Sequence, residues 1–402
     1  MRRRQGGFSL LELVIATGLM VLVTAGVFGM MNPAHGAYAA EPDTADMQQR
    51  LRVGADTLTR DLVMAGAGAY LGTHVGSLGY FFAPILPFRQ GATNDDPAGT
   101  FATDRITLLY VPSTTAQTTL AAPLIGGSPT PTLSLAAETD CPKNPGTGLP
   151  YLECGFVTDM SLLVFDDTGN YDLFSVTSVT DAAAQVVVKR PADSMNTNYP
   201  IGSKVIEAVS HTYYLKTDNA NQLYQLMHYD GTSNADVPVV DHVVGLTFEY
   251  FGEQRPPVLK KPVSDPIGPW TSYGPKPPAL GVKATAWPAG ENCTFMLDAN
   301  GAQAPRLATL GSGSSALVPV TSAQLTDGPW CPDASNLNRW DADLLRIRKV
   351  GVTLRVEAAA NALRGPAGVL FTRGGTSRTG NTWVPDQEIR FQVSPRNLNL
   401  GR

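Results

Sequence analysis

Histidine and cysteine are scarce, five and four respectively among 402 residues. The histidines stand apart at positions 35, 74, 211, 228 and 242, and no C-x-x-C or H-E-x-x-H pattern occurs. Zinc binding and dithiol redox chemistry need such ligands at short spacing, so neither is indicated. No G-x-S-x-G or Walker A pattern is present, and Gly66-x-Gly68 lacks a third glycine and a preceding strand. Charge is also sparse, at 16% of residues, with 30 Lys and Arg against 35 Asp and Glu. With no basic run beyond the N-terminus, nucleic acid is not expected as a specific partner. Neither catalysis, a metal nor a cofactor is indicated.

What the chain has in quantity is glycine (39) and proline (31), with 43% hydrophobic residues. That mixture is enough for a core, and it favours a loop-rich β protein over a helical bundle. Against this background one apolar run stands out, Phe8 to Met31, interrupted by a single charge at Glu12. As a helix it would extend roughly 36 Å, enough to cross a bilayer core with some tilt. Arg2, Arg3 and Arg4 precede it, and no further Lys or Arg appears until Arg50. The positive-inside rule then keeps the N-terminus cytoplasmic and sends the rest outward, into a disulfide-permissive space.

A secretory signal peptide is the ordinary alternative, and Ala37-Tyr38-Ala39 supplies an A-x-A-like cleavage site. The apolar run is longer than the roughly 7–15 residues of a signal h-region. Glu12 is also badly placed for it, since a carboxylate inside a membrane helix costs about 2.5–3.5 kcal/mol on insertion scales. A plain uncleaved anchor accounts for Glu12 no better. An ionisable residue in such a position marks a functional site by default.

The stretch Gly7-Phe8-Ser9-Leu10-Leu11-Glu12-Leu13-Val14-Ile15-Ala16 resembles the class III signal of type IV prepilins and type II secretion pseudopilins. In that family a membrane peptidase cuts after the glycine and methylates the new N-terminal residue. The resemblance implies a leader of residues 1–7, cleavage after Gly7, N-methylation of Phe8, and an assembly role for Glu12. In that role the Glu12 carboxylate would pair with the freed amine of Phe8 on a neighbouring subunit. Such a pair offsets part of the desolvation cost and favours one axial register, without having to add net stability.

Beyond a transmembrane, filament-core helix over 8–31, Asn32-Pro33 and Gly36 interrupt the helical pattern. A second, amphipathic helix is expected from about 43 to 66, within a periplasmic helical segment spanning 32–72. Met47, Leu51, Ala55, Leu58, Leu62 and Ala65 recur at spacings of four or three and form one buried stripe, a docking face for the chain's own sheet. Arg52 and Arg60 are each four residues from Asp56 and can pair on the solvent side. Gly66, Gly68 and Gly72 end this helix. The stretch from Gln48 to Gly66 is also similar to the post-membrane helix of PilW-type minor pilins.

Residues 73–402 read as a β-rich globular domain. Strands of period two are expected at Leu246–Phe251, Val350–Glu357 and Ile389–Val393, each half-buried. Further candidates are 105–111, 162–165, 171–179, 185–190, 204–215 and 222–229. Asp167–Asn170 and Asp218–Asn221 read as hairpin turns. Without crossover helices the sheet is mainly antiparallel. Residues 113–140, 255–290 and 299–328, rich in Pro, Gly, Ser, Thr or Ala, read as surface insertions. The fold class is therefore α+β and pilin-like. A transmembrane helix and an amphipathic helix are followed by an antiparallel sheet domain with long loop insertions.

Cys141 and Cys154 lie close in sequence, and Cys293 and Cys331 flank the third insertion. Two local disulfides, 141–154 and 293–331, suit an extracytoplasmic protein, although three pairings are possible. The oxygen-rich Asp166–Asp172 stretch reads as a hairpin turn, since it lacks EF-hand spacing. His211 and His228 read as structural residues.

The resemblance implies a structural function, a PilW-like minor pilin in type IV pilus assembly. Its partners would be the prepilin peptidase/methylase, other minor pilins, the major pilin and the inner-membrane assembly platform. Placement would be single-pass in the inner membrane with a periplasmic domain, then in the pilus at the cell surface. A type II secretion minor pseudopilin and a pilus-tip adhesin are the alternatives. The C-terminal pattern from Arg346 to Glu357 and from Glu388 to Leu398 is also similar to the PilW-type end.

Overall fold

The computed structural model describes residues 9–68, 77–88, 105–112, 116–126, 130–138, 141–166, 170–189, 198–218, 223–231, 236–253, 295–297, 303–305, 316–321, 323–325, 330–331, 340–360, 363–364 and 384–399. Two compact units divide the chain: Met1–Arg52 with Val356–Gln387, and Val53–Arg355 with Glu388–Arg402.

The two helical segments that the sequence separates are joined in one helix, α1 (Leu10–Met64). Its backbone stays helical through Pro33 and Gly36. A helix-interior proline removes one hydrogen bond and crowds the preceding turn, at about 3 kcal/mol. With more than twenty helical residues on either side, that local cost bends the balance less than a second nucleation would. The stripe on its second half is buried as the spacing requires: Met47, Leu58, Leu62 and Ala65 have no exposed surface, and Leu51 and Ala55 are nearly covered. On the solvent side Arg50 pairs with Asp46. Gly66, at φ +79°, stops the helix in a left-handed conformation that costs glycine nothing. The Asn397 side chain donates to the freed Met64 carbonyl at 3.3 Å, so the chain's C-terminal turn helps to cap its first helix.

The strands begin with β1 (Ile85–Leu86), β2 (Ile106–Tyr110), β3 (Gln117–Thr119), β4 (Thr132–Ser134), β5 (Ser161–Phe165) and β6 (Tyr171–Thr180). They continue with β7 (Gln185–Lys189), β8 (Lys204–Glu207), β9 (Val209–Asp218), β10 (Leu223–Tyr229), β11 (Asp236–Asp241) and β12 (Val243–Gly252). Short strands β13 (Phe295–Leu297), β14 (Gln303–Pro305), β15 (Val318–Val320), β16 (Trp330–Cys331) and β17 (Trp340–Asp341) precede β18 (Ile347–Val356) and β19 (Gln387–Val393).

One sheet has the order β1-β2-β9-β10-β11, and its described pairings are all antiparallel. A second has the order β15-β12-β18-β19. The helix lies close to both, because a Cβ on Gly54 would come within 2.6 Å of Leu354 in β18 and 3.6 Å of Val240 in β11. Leu246, Phe248 and Tyr250 are buried, while Glu249 between them is exposed, so β12 is half-buried. By contrast β18 is covered on both faces, Arg355 included. In β19, Ile389 and Phe391 are only partly covered.

Between β2 and β9 the chain leaves the first sheet and builds a separate one, ordered β3-β8-β5-β6-β7-β4. Its two outer strands meet. Leu120 bridges Leu135, the Ala121 amide donates to Ser134, and the Ala136 amide donates to Thr119. The six strands thereby close into a small barrel, with the two outer strands joined to each other. Its interior is Leu133, Phe156, Leu162, Val164, Phe174, Val186, Val188, Tyr199 and Val205, all buried. The stretch 113–140, which composition marks as loop, therefore contributes two strands. Three-residue strands carry too little periodicity to register, and the partners that order them lie far along the chain. Within 299–328, likewise, Val318–Val320 pairs with Tyr250–Gly252. The proline-rich stretch 255–290 lies outside the described residues.

Candidate processing and assembly site

At the start of α1 the backbone amides of the first turn have no helical partner, and inside a membrane no water replaces one. Two side chains answer this. The Ser9 hydroxyl accepts from the Leu11 amide at 3.2 Å, and the Glu12 carboxylate accepts from the Ser9 amide at 2.9 Å. This is a variant of the capping box: the Glu12 carboxylate reaches back to the N-cap amide, while the serine hydroxyl takes the Leu11 amide rather than that of Glu12. The sequence reading gave Glu12 to a neighbouring subunit's amine. Within its own chain the carboxylate already has a role, and the S-x-x-E spacing was the signal for it. Gly7 and Phe8 lie outside the described residues.

From Leu10 to Phe28 the helix is long and apolar enough to cross a membrane, and none of that surface is buried inside the protein. The hydroxyls of Thr17 and Thr24 donate back to the Leu13 and Met20 carbonyls, at 3.0 and 2.7 Å. Both polar groups are thus satisfied within the helix, as an apolar surrounding demands. An apolar face this long and this bare needs lipid or other helices to cover it.

Two further features lie in the sheets and the barrel. Cys141 and Cys154 form a disulfide, with Cα atoms 4.6 Å apart, inside the barrel core. Cys293 lies outside the described residues, so its pairing with Cys331 is not seen. Removing the 141–154 bridge by Cys141→Ser with Cys154→Ser should cost about 2–4 kcal/mol. A thermal scan of the variant against wild type reads this directly, and an unchanged midpoint would mean that the barrel core holds without the bond. In the Asp166–Asp172 stretch, Asp166 accepts from both the amide and the side chain of Asn170, and Asp172 accepts from Tyr199 at 2.8 Å. These carboxylates serve the β5–β6 hairpin and the barrel wall.

The second feature escaped the sequence reading. Asp61, on the second half of α1, is 3% exposed. The Tyr110 phenol donates to its Oδ1 at 3.1 Å, and the Tyr213 phenol donates to its Oδ2. Burial, and then the nearby Asp61 carboxylate, hold both phenols well above their ordinary range, so they remain donors. His211 Nε2 lies 3.1 Å from the Tyr110 oxygen, and His211 Nδ1 contacts His228 Nε2. These four side chains come from β2, β9 and β10, and strand alternation sets them on one face. Among the described residues no cluster of His, Cys, Asp or Glu is arranged to hold a metal ion.

Comparison with known families finds the prokaryotic N-terminal methylation motif at residues 2–28. No characterised protein matches the chain. The motif supports a type IV pilin- or pseudopilin-like N-terminus, of the kind that a prepilin peptidase processes, and the apolar helix fits a membrane anchor. Proteins with this motif are generally structural, not enzymatic.

Proposed function

We infer that the protein is a PilW-like minor pilin that takes part in assembling or initiating a type IV pilus. The observation that carries this is α1 itself. It starts in the methylation motif, leaves its Leu10–Phe28 surface bare, and continues without a break to the buried stripe that ends at Ala65. A helix of that build suits packing among like helices while it carries a folded domain. Before assembly the chain would stand in the inner membrane, N-terminus cytoplasmic and sheets periplasmic. Its partners would be the prepilin peptidase/methylase, other minor pilins, the major pilin and the assembly platform.

N-terminal sequencing of protein from the membrane fraction should begin at N-methylated Phe8. A start at Ala40 would instead establish ordinary secretion and sink the pilin reading. Peptide mapping of the same sample without reductant should also show Cys293 joined to Cys331.

A type II secretion minor pseudopilin would share the same N-terminus, so the proteins that co-purify decide between the two. The closed barrel of residues 116–207 favours a further reading, display of a binding module at a pilus tip. It has its own core, and Phe81 and Phe82 pack against its Phe165 and Tyr171 where it meets the rest of the domain.

A further inference from the structure

We propose that the His211–His228 pair is a pH-sensitive latch that holds the last turns of α1 on the β2-β9-β10 face and loosens it on acidification. The hydrogen bonds fix the direction of every proton in the cluster. Tyr110 gives its hydrogen to Asp61, so its oxygen is left to accept from His211 Nε2–H. His211 Nδ1 then carries a lone pair and accepts from His228 Nε2–H. The chain of donors runs from β10 through β9 and β2 and ends on the helix carboxylate. Tyr213 closes it on the other carboxylate oxygen.

This arrangement takes up one extra proton but not two. The first extra proton goes to His228 Nδ1, which leaves the Nε2–H bond to His211 Nδ1 intact. A second sets two N–H groups face to face and breaks the contact. The charges around the pair do not prevent this. Asp61 Oδ2 is 3.7 Å from His211 Nδ1 and favours protonation, as does Asp230 just beyond β10. Arg60, with 84% of its side chain exposed, opposes it weakly. On β11 the residue opposite His228 is the uncharged Val237, and the next carboxylate, Asp236, lies 4.0 Å from Lys216.

Burial decides the outcome. It pushes His211 down to about 4 against the pull of Asp61, and it also lowers His228. A histidine freed from the cluster takes its proton near pH 6.5. A depressed histidine stabilises the latched state above that pH, and the advantage is lost as pH falls from 6.5 towards 4. For His211 alone, the open state gains about twentyfold between neutral pH and pH 5.

Hydrogen–deuterium exchange on the full-length protein in detergent micelles tests this, with rates corrected for their intrinsic pH dependence. Protection of the Leu58–Ala65 amides should fall at least tenfold from pH 7.5 to 5, while Val350–Leu354 in β18 stays level. In His211→Gln the fall should shrink to threefold or less. His228→Gln, whose amide can still donate to His211, should lessen it too if the first variant does not fold. Protection that is flat with pH, an equal fall in β18, or a fall in both variants equal to wild type would each overturn the latch.

Discussion

Glu12→Ala is expected to be cleaved after Gly7 and to reach the membrane, yet to lose co-purification with partner pilins by a hundredfold or more. In a plain anchor, deleting the carboxylate would be harmless, because it removes a charge that is costly inside the membrane. In a packed array of pilin helices it leaves a neighbour's Phe8 amine without its counter-charge. Breaking one side of a buried pair costs about 3–5 kcal/mol, which is about two to three and a half orders of magnitude in a binding constant. The capping box complicates the reading of this variant, since alanine also leaves the Ser9 amide without its acceptor. Losing a cap costs about 0.5–2 kcal/mol, too little for the whole effect. Glu12→Gln separates the two, because its side-chain oxygen can still accept from Ser9 but carries no charge. Sheared-pilus yield and pull-down should show Glu12→Gln nearly as defective as Glu12→Ala. Wild-type behaviour of the glutamine variant would confine Glu12 to its own helix and remove the main physical support for filament pairing.

Leu58→Ala should destabilise the sheet domain by about 2–5 kcal/mol, the range for a large buried aliphatic side chain cut to alanine. Leu58 is fully buried, one turn after Gly54, whose missing side chain lets the helix backbone approach Leu354 and Val240. Neighbours held by strand pairing cannot collapse into the space, so the upper half of the range is the better guess. Val63→Ala serves as the control, because Val63 is 39% exposed on the same helix and should cost well under 1 kcal/mol. Denaturant midpoints of the two variants at equal slope measure the difference. Equal midpoints would show that the stripe does not carry the packing of α1.

Much of this architecture is written locally. The expected strands at 105–111, 162–165, 171–179, 185–190 and 222–229 coincide with β2, β5, β6, β7 and β10 within one or two residues. Their alternation reflects a sheet with one covered face, and that pattern needs no knowledge of the partners. Three departed: β18 is covered on both faces, Ile389 and Phe391 of β19 are only partly covered, and the expected strand 204–215 divides at Ala208 into β8 and β9, which join different sheets. Asp61 shows a different limit. It falls on the register of Gly54, Leu58 and Ala65, at steps of four, three and four, so it stood in the buried stripe all along. A carboxylate there is affordable only with donors in place, and Tyr110 and Tyr213 lie 49 and 152 positions away. No window along the chain contains them together.

Local spacing along the chain sets the membrane-competent start, the methylation motif, the amphipathic stripe and most of the strand positions. Each of these depends on a period or spacing within some thirty residues, where the helix and strand repeats are fixed by backbone geometry. The tertiary structure alone decided three things: the continuity of α1 through Pro33, the closure of the barrel by Leu120 and Leu135, and the donors gathered on Asp61. The first is a balance between one local penalty and the helix on either side. The other two arise where segments distant in sequence meet, and their energies exist only once the chain has folded.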